Sequence, residues 1–166
     1  MRVTSKSILM GVMILIAGGM AFAQPSVVST LPTSGTGSFQ NFAVTVADAS
    51  GPSNIATVYF VVNATLSVTN SCVASYSHVA NALFLLNDAG DSYQGPIIPG
   101  TSGSLANSQC TLSAAGASIS TSGTTLTVNI PLTFTAFHGA KSTFGLVGDN
   151  SSVYSPWTTT GAWTIS

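Results

Sequence analysis

The stretch TTLTVNIPLTF, Thr124–Phe134, decides the fold class. Apolar side chains occupy every second position from Leu126 onward, and Thr, Asn or Pro fills the positions between them. A period of two places one set of side chains in a core and the other towards solvent, which predicts a half-buried β-strand. Pro131 interrupts the pattern because it has no backbone N–H, so we expect an edge position or a β-bulge there.

The same alternation recurs along the chain and predicts an all-β protein. In Phe39–Ala47 and Ile55–Asn63 the alternating residues are mainly β-branched or aromatic, the types that strands favour. Clusters of Gly, Pro, Ser and Asn separate the strands, and no helical periodicity follows Gln24. Many short strands at this spacing are typical of a sandwich or a barrel. The predicted strands are Ser26–Leu31, Phe39–Ala47, Ile55–Asn63, Cys72–His78, Ala82–Asn87, Ser108–Leu112, Thr124–Phe134, Ser142–Gly148 and Gly161–Ser166.

Residues 1–23 predict a secretory signal peptide. A short basic start precedes the uncharged apolar run Ile8–Met20, and Ala21–Ala23 matches the small-x-small pattern that signal peptidase cuts. The run is short for a membrane span, and a retained anchor is the alternative. We therefore predict cleavage after Ala23, secretion, and a single domain over residues 24–166 with no membrane span.

The predicted mature domain is nearly uncharged. Lys141 is its one basic residue, since Arg2 and Lys6 belong to the leader, and it stands against four Asp and no Glu. Nucleic acids are bound chiefly through neutralised phosphates, so this composition predicts no nucleic-acid partner. The recurrent Val, Ile, Leu and Phe still predict a folded domain, with a surface mostly of Ser, Thr, Asn and Gly.

Cys72 and Cys110 predict one disulfide. An exported protein meets an oxidising compartment, where a bridge between two cysteines is the default. The alternative is a reduced pair buried as small apolar side chains. A zinc site needs further ligands nearby and a redox motif needs C-x-x-C spacing, so we expect a structural role.

Several segments together resemble an immunoglobulin-like module that recurs in secreted bacterial proteins and has no known activity. They are NALFLLNDAG (Asn81–Gly90), GSLANSQCTL (Gly103–Leu112), SGTTLTVNIPLTF (Ser122–Phe134) and WTTTGAWTI (Trp157–Ile165). The resemblance covers most of residues 24–166 and implies a sandwich of the cadherin or fibronectin kind. It also implies an extra hairpin region, from about Thr65 to Ser120, that carries both cysteines. The predicted fold is therefore an immunoglobulin-like antiparallel β-sandwich with an extra hairpin region.

The composition offers little for catalysis, and we predict a non-enzymatic protein without catalytic residues. A serine hydrolase needs Ser, His and an acid together, but the mature chain has only His78 and His138 and no G-x-S-x-G motif. A glycosidase needs two facing carboxylates. Asp88 and Asp91 lie in NDAGD, Asn87–Asp91, which is typical of a turn.

Asp48, Asp149 and Asn150 are weak candidate ligands for calcium, and no other cofactor is expected. Hard cations bind several oxygen ligands, and the two Asp follow strands whose loops share one end of an immunoglobulin-like sandwich. The alternative is that both are ordinary turn residues whose side chains bond to the nearby backbone.

Tyr154 and Trp157 are the candidate ligand-binding residues. They lie in a loop that contains Ser and Pro, whereas Trp163 alternates with Ile165 and is expected in the core. Exposed rings offer apolar faces to ligands at low entropic cost, which favours a polysaccharide or another cell-envelope component as partner. The alternative is that Trp157 folds back onto the edge of the sandwich.

Three functions of different class are open on the sequence. The first is an extracellular module with a structural or adhesive role, and the second is a carbohydrate-binding module that uses Trp157 and Tyr154. The third is a pilus-type subunit, which would donate an N-terminal alternating strand to a neighbouring subunit. Gln24–Gly37 is short and rich in turn residues, which does not favour the third function.

Overall fold

The computed structural model describes residues 23–166, and the predicted leader up to Phe22 lies outside them. In the described part the chain forms strands and one 3-10 turn, Pro52–Asn54. No helix there is both long and apolar enough to cross a membrane. The strands are β1 (Ser26–Leu31), β2 (Ser34–Thr36), β3 (Phe39–Ala47), β4 (Ile55–Asn63), β5 (Cys72–Ser77), β6 (Ala82–Leu86), β7 (Tyr93–Ile97), β8 (Ser104–Ala106), β9 (Cys110–Ser113), β10 (Ser118–Ser122), β11 (Thr125–Phe134), β12 (Gly139–Asp149) and β13 (Thr158–Ile165).

Strands β3 and β11 form the centre of one sheet because their alternating patterns match. They pair antiparallel along the whole of β3. Val128 is opposite Val44 on the inner face, and both side chains are fully buried. The adjacent pair, Thr127 and Thr45, faces outward with its hydroxyl oxygens 2.9 Å apart. The alternation in β11 thus separates an apolar face from a polar one, as predicted.

Two sheets pack face to face and make an immunoglobulin-like sandwich. The six-stranded sheet has the order β1-β3-β11-β9-β8, with β10 also paired to β11. The seven-stranded sheet has the order β2-β13-β12-β4-β5-β6-β7, and β2 runs parallel to β13. The sets β1-β3-β11-β9 and β13-β12-β4-β5-β6 follow the strand order of the two sheets of a variable-type immunoglobulin domain. The predicted fold class is confirmed.

The core between the sheets is built around Phe42. Its ring centroid lies 5.1 Å from that of Phe60 and 5.6 Å from that of Trp163. Trp163 is buried, as expected, and its indole N–H donates to the Gly37 carbonyl at 2.9 Å. That bond satisfies the one polar atom of the indole and ties the last strand to the loop after β2.

The sequence pattern misses four short strands, β2, β7, β8 and β10. They occupy segments that are rich in Gly, Pro or Ser and that lie outside the predicted strands. All four lie at the margins of their sheets. A short marginal strand is held by pairing with a neighbour and not by its own alternation, so its sequence carries little signal.

Pro131 does not lie on an edge strand or at a bulge, so that expectation is corrected. On one side β11 pairs with β3 without a shift of register. On the other side it pairs with β10 as far as Asn129 and with β9 from Leu132 onward. Pro131 falls at this change of partner, where its missing N–H leaves no ladder bond unmade.

The predicted disulfide between Cys72 and Cys110 is confirmed, and it joins the two sheets. Cys72 begins β5 in the seven-stranded sheet and Cys110 begins β9 in the six-stranded sheet. The two Cα atoms are 5.7 Å apart, and both side chains are fully buried. The predicted extra region, from about Thr65 to Ser120, contains β5, β6 and β9 of the variable-type set, and the strands there that go beyond this set are β7, β8 and β10. A closed disulfide is compatible with an extracellular protein.

Candidate binding face

The outer face of the seven-stranded sheet carries a row of side chains that crosses the strands. The register places Leu146, Tyr59, Ser75 and Phe84 opposite one another on β12, β4, β5 and β6. Phe60, next to Tyr59 on β4, is fully buried between the sheets, so Tyr59 points outward. The row thus presents one outward side chain from each strand.

A cavity of about 270 Å³ opens on this row. Its lining residues, none of them charged, are Thr57, Tyr59, Ser75, Ser77, Phe84 and Tyr93. The Tyr93 phenol reaches across β6 towards the Ser75 hydroxyl on β5, which lowers the pKa of Tyr93. The cavity therefore combines aromatic ring faces with hydroxyl groups that both donate and accept hydrogen bonds.

Tyr154 and Trp157 extend the row beyond β12. The Trp157 ring centroid lies 6.5 Å from that of Tyr59, and 37% of the Trp157 surface is exposed. Tyr154 is 48% exposed and packs on Gly148 of β12, where a Cβ atom would lie 2.5 Å from the phenol ring. Glycine at this position lets the ring lie directly on the strand. Five residues together are named the aromatic face: Tyr59, Phe84, Tyr93, Tyr154 and Trp157.

Burial raises the pKa of the Tyr59 and Tyr93 phenols above their usual value of 10.0. Neighbouring phenols add to this, because Tyr154 raises the pKa of Tyr59 and Tyr59 raises that of Tyr93. The Ser75 hydroxyl acts in the opposite direction and lowers the pKa of Tyr93. Both phenols are therefore neutral at physiological pH and can donate hydrogen bonds to a ligand.

An apolar cluster bounds the aromatic face on one side. Val61, Val73 and Leu86 are buried there, and Phe144 packs against them. Val61 lies two residues beyond Tyr59, so both side chains point to the same side of β4. The accessible part of this outer surface is thus the cavity together with the rings of the aromatic face.

Hydrogen bonds of Asn54 connect Asp48 with Asn150 at one end of the sandwich. The Asp48 carboxylate accepts hydrogen bonds from the Ser50 backbone N–H at 2.7 Å and from the Asn54 side-chain amide at 3.0 Å. The Asn54 carbonyl in turn accepts from the Asn150 backbone N–H at 2.9 Å. The loops after β3 and β12 therefore meet at the 3-10 turn.

Asp149 is the last residue of β12 and holds the loop that follows it. One carboxylate oxygen accepts from the backbone N–H of Ser151 at 2.9 Å and of Val153 at 2.8 Å. Asp48 is 1% exposed and Asp149 is 6% exposed, so both carboxylates stabilise loop backbone. Residues 23–166 contain no group of three or more His, Cys, Asp or Glu side chains placed to hold a metal ion.

The two histidines lie apart from the aromatic face. His78 lines a second cavity of about 220 Å³ with Ser53, Ile55, Val79 and Asn150, and its Nδ1 is 2.8 Å from the Ile55 carbonyl oxygen. No carboxylate lines this cavity. His138 is exposed in the turn before β12. Neither histidine is placed with a nucleophile and an acid as a hydrolase requires.

The structure adds Tyr59, Phe84 and Tyr93 to the predicted pair Tyr154 and Trp157. The available signal for Tyr59 is its place on the outward side of an alternating strand. Phe84 lies in the continuous apolar run ALFLL, where alternation gives no indication of the outward side. Tyr93 lies on β7, one of the strands that the sequence pattern misses.

Comparisons with protein-family models, with curated proteins and with solved structures give no match for this chain. The function is therefore inferred from the geometry of the aromatic face.

Proposed function

We propose that this protein is a secreted, non-enzymatic module that adheres to polysaccharide through the aromatic face. The observation that carries the proposal is the row from Tyr93 to Trp157, in which ring faces alternate with hydroxyl groups around an open cavity. A sugar ring has an apolar C–H face and a rim of hydroxyls. It therefore needs both kinds of surface from a binding site, and amphipathic aromatic side chains supply them.

The lining of the cavity supports binding in preference to hydrolysis. Cleavage of a glycosidic bond in most enzymes requires a pair of carboxyl groups on either side of the bond. The residues of the cavity and of the aromatic face include none. The four Asp side chains of the mature domain accept hydrogen bonds in loops.

Secretion is supported by the predicted leader and by the buried disulfide. A basic start, an apolar run and a small-x-small site together form an export signal. A structural disulfide is typical of proteins that fold in an oxidising compartment. An extracellular location would also place the aromatic face where polysaccharides occur.

The pilus-type alternative has less support. A pilin leaves a groove that a neighbouring subunit fills with a donated strand. Here the chain's own β13 lies between β12 and β2, and its residues Trp163 and Ile165 complete the core. The sandwich therefore needs no strand from a second chain.

The test is retention of the secreted, oxidised protein on insoluble cellulose, chitin and xylan and on bacterial cell envelopes. We expect saturable retention on at least one polysaccharide, and loss of that retention in Trp157→Ala. Phe39→Ala is the matched control, because Phe39 is an exposed ring on the other sheet, 57% exposed against 37% for Trp157. Retention that Trp157→Ala leaves unchanged, or no retention on any of these materials, would contradict the proposal.

A further inference from the structure

The aromatic face extends across several strands of the sheet. Tyr59 and Tyr93 lie on β4 and β7, which are separated by three inter-strand spacings, or roughly 14 Å in total. Trp157 continues the row beyond Tyr59, with 6.5 Å between the two ring centroids. One inter-strand spacing is close to the advance per pyranose unit in an extended glycan. Because the Tyr93 phenol turns back over β6 towards Ser75, the rings from Tyr93 to Trp157 have the length of roughly three sugar units.

The face also lacks charge. No ionised side chain lines the cavity, and its phenols, whose pKa burial raises above the usual 10.0, are neutral at physiological pH. The one basic residue of the mature domain, Lys141, lies with its Nζ 4.0 Å from the centroid of the Phe137 ring. A uronic acid or a sulfated sugar would find no cation here to compensate for its desolvation.

The cavity and the exposed ring of Trp157 present different surfaces to a ligand. Between Tyr59 and Tyr93 the lining includes the hydroxyls of Thr57, Ser75 and Ser77, which suit the rim of a single sugar ring. Beyond Tyr59 the exposed ring of Trp157 offers a stacking surface instead. A lipid chain would offer no hydrogen-bond partner to the hydroxyl groups that line the cavity, which is unfavourable.

We infer that the ligand is an extended, uncharged glycan of roughly three sugar units that lies across the strands, with one unit in the cavity between Tyr59 and Tyr93 and a following unit stacked on Trp157. This rests on the proposed function, since it specifies the ligand class and orientation at the same face. The cavity fixes one sugar ring by hydrogen bonds. Stacking on Trp157 then adds to the affinity for a ligand that is long enough to reach it.

The experiment is calorimetric titration of the secreted protein with oligosaccharides of cellulose, xylan and mannan that contain two to six units. Oligomers of polygalacturonate are the charged counterpart. For one neutral series we expect affinity to rise about tenfold or more between two and three units and then to level off. Tyr93→Ala and Trp157→Ala should each weaken binding of the three-unit ligand about five- to tenfold.

Two control variants distinguish the loss of a stacking ring from damage to the fold. Tyr93→Phe keeps the stacking ring and should retain most of the affinity, and Phe39→Ala should bind as the wild type does. Thermal melting of each variant checks that the sandwich is intact. Tyr93 lies on the exposed edge strand β7, so its truncation leaves the core untouched.

The outcomes distinguish the inference from the proposed function. Retention on a polysaccharide that depends on Trp157 but not on Tyr93, or that shows no dependence on ligand length, would overturn the inference alone. Tighter binding of the polygalacturonate oligomers would also overturn it. Self-association that Trp157→Ala abolishes would identify a second copy of the chain as the occupant and would overturn both.

Discussion

Three tyrosines illustrate how single residues in this protein combine a polar atom with apolar surroundings. Tyr76 is buried in the core, and its hydroxyl donates to the Asn81 side chain at 3.0 Å. Tyr59 and Tyr93 lie on the outer face and are only partly covered. Burial raises the pKa of all three phenols above 10.0, because the phenolate loses hydration that the neutral form does not need.

We predict that these phenols ionise at higher pH in the folded than in the unfolded protein. An unfolded tyrosine loses its proton near pH 10, whereas the folded phenols keep theirs to higher pH. The unfolded state then binds fewer protons, so the free energy of unfolding falls as the pH rises above 10. Phenolate absorbance of native protein and of protein in guanidinium measures both curves. Tyr93→Phe should remove one high-pH step, and a native curve centred at pH 10 would contradict the assignment.

At the level of strands and loops, predictability follows how local the stabilising interactions are. The bounds of β3 and β4 are predicted because each of these strands carries its own alternation. NDAGD forms the predicted turn, in which the Asn87 carboxamide oxygen accepts from the Gly90 N–H at 3.0 Å and Gly90 has a φ of 77°. β7 is missed because pairing with β6 defines it, and Tyr93, one of the five residues of the aromatic face, is missed with it.

Replacing a loop carboxylate with an amide should change the free energy of unfolding by different amounts at Asp48 and at Asp149. One oxygen of Asp149 accepts both of its backbone bonds, so Asp149→Asn keeps them with its carbonyl oxygen. Asp48 uses both oxygens, one for the Ser50 N–H and the other for the Asn54 amide. In Asp48→Asn the new amide N–H would face the Asn54 amide N–H, so Asn54 must turn its side chain over or lose the bond, which costs about 1 kcal/mol. Urea denaturation of both variants gives the difference.

The same pair of variants separates loop support from calcium binding. If the carboxylates only hold their loops, millimolar calcium and EDTA leave the melting temperature of the wild type unchanged. If calcium raises the melting temperature of the wild type but not that of either variant, this would instead establish the weak cation site expected from Asp48, Asp149 and Asn150. Equal stability of the two variants without calcium would contradict the hydrogen-bond account.

For the whole molecule, the two outer faces of the sandwich differ in chemistry although charge is scarce on both. The face of the six-stranded sheet is polar, with hydroxyl and amide pairs such as Thr45–Thr127 and Ser118–Asn129 at 2.9 Å. The face of the seven-stranded sheet carries the aromatic rings. The alternation of each strand fixes which residues point outward. Which outward residues become neighbours is fixed only by strand order, and that depends on contacts distant in sequence.

The disulfide should contribute much of the stability, because it links the sheets at β5 and β9 over a separation of 38 residues. Closing such a loop removes unfolded-state entropy worth about 4 kcal/mol. We predict that the double variant Cys72→Ala/Cys110→Ala melts roughly 10–15 °C below the oxidised wild type in calorimetry. The double variant loses both the covalent link and the volume of two sulfur atoms. Wild type that is reduced in denaturant and refolded under reducing conditions loses only the link, so its melting temperature shows the effect of the link alone. Since both sulfurs are fully buried, reductant without denaturant should leave the bridge closed in the folded protein at room temperature, as titration of free thiols would show. A double variant that melts within about 2 °C of the wild type would mean that the two sheets hold together without the bridge.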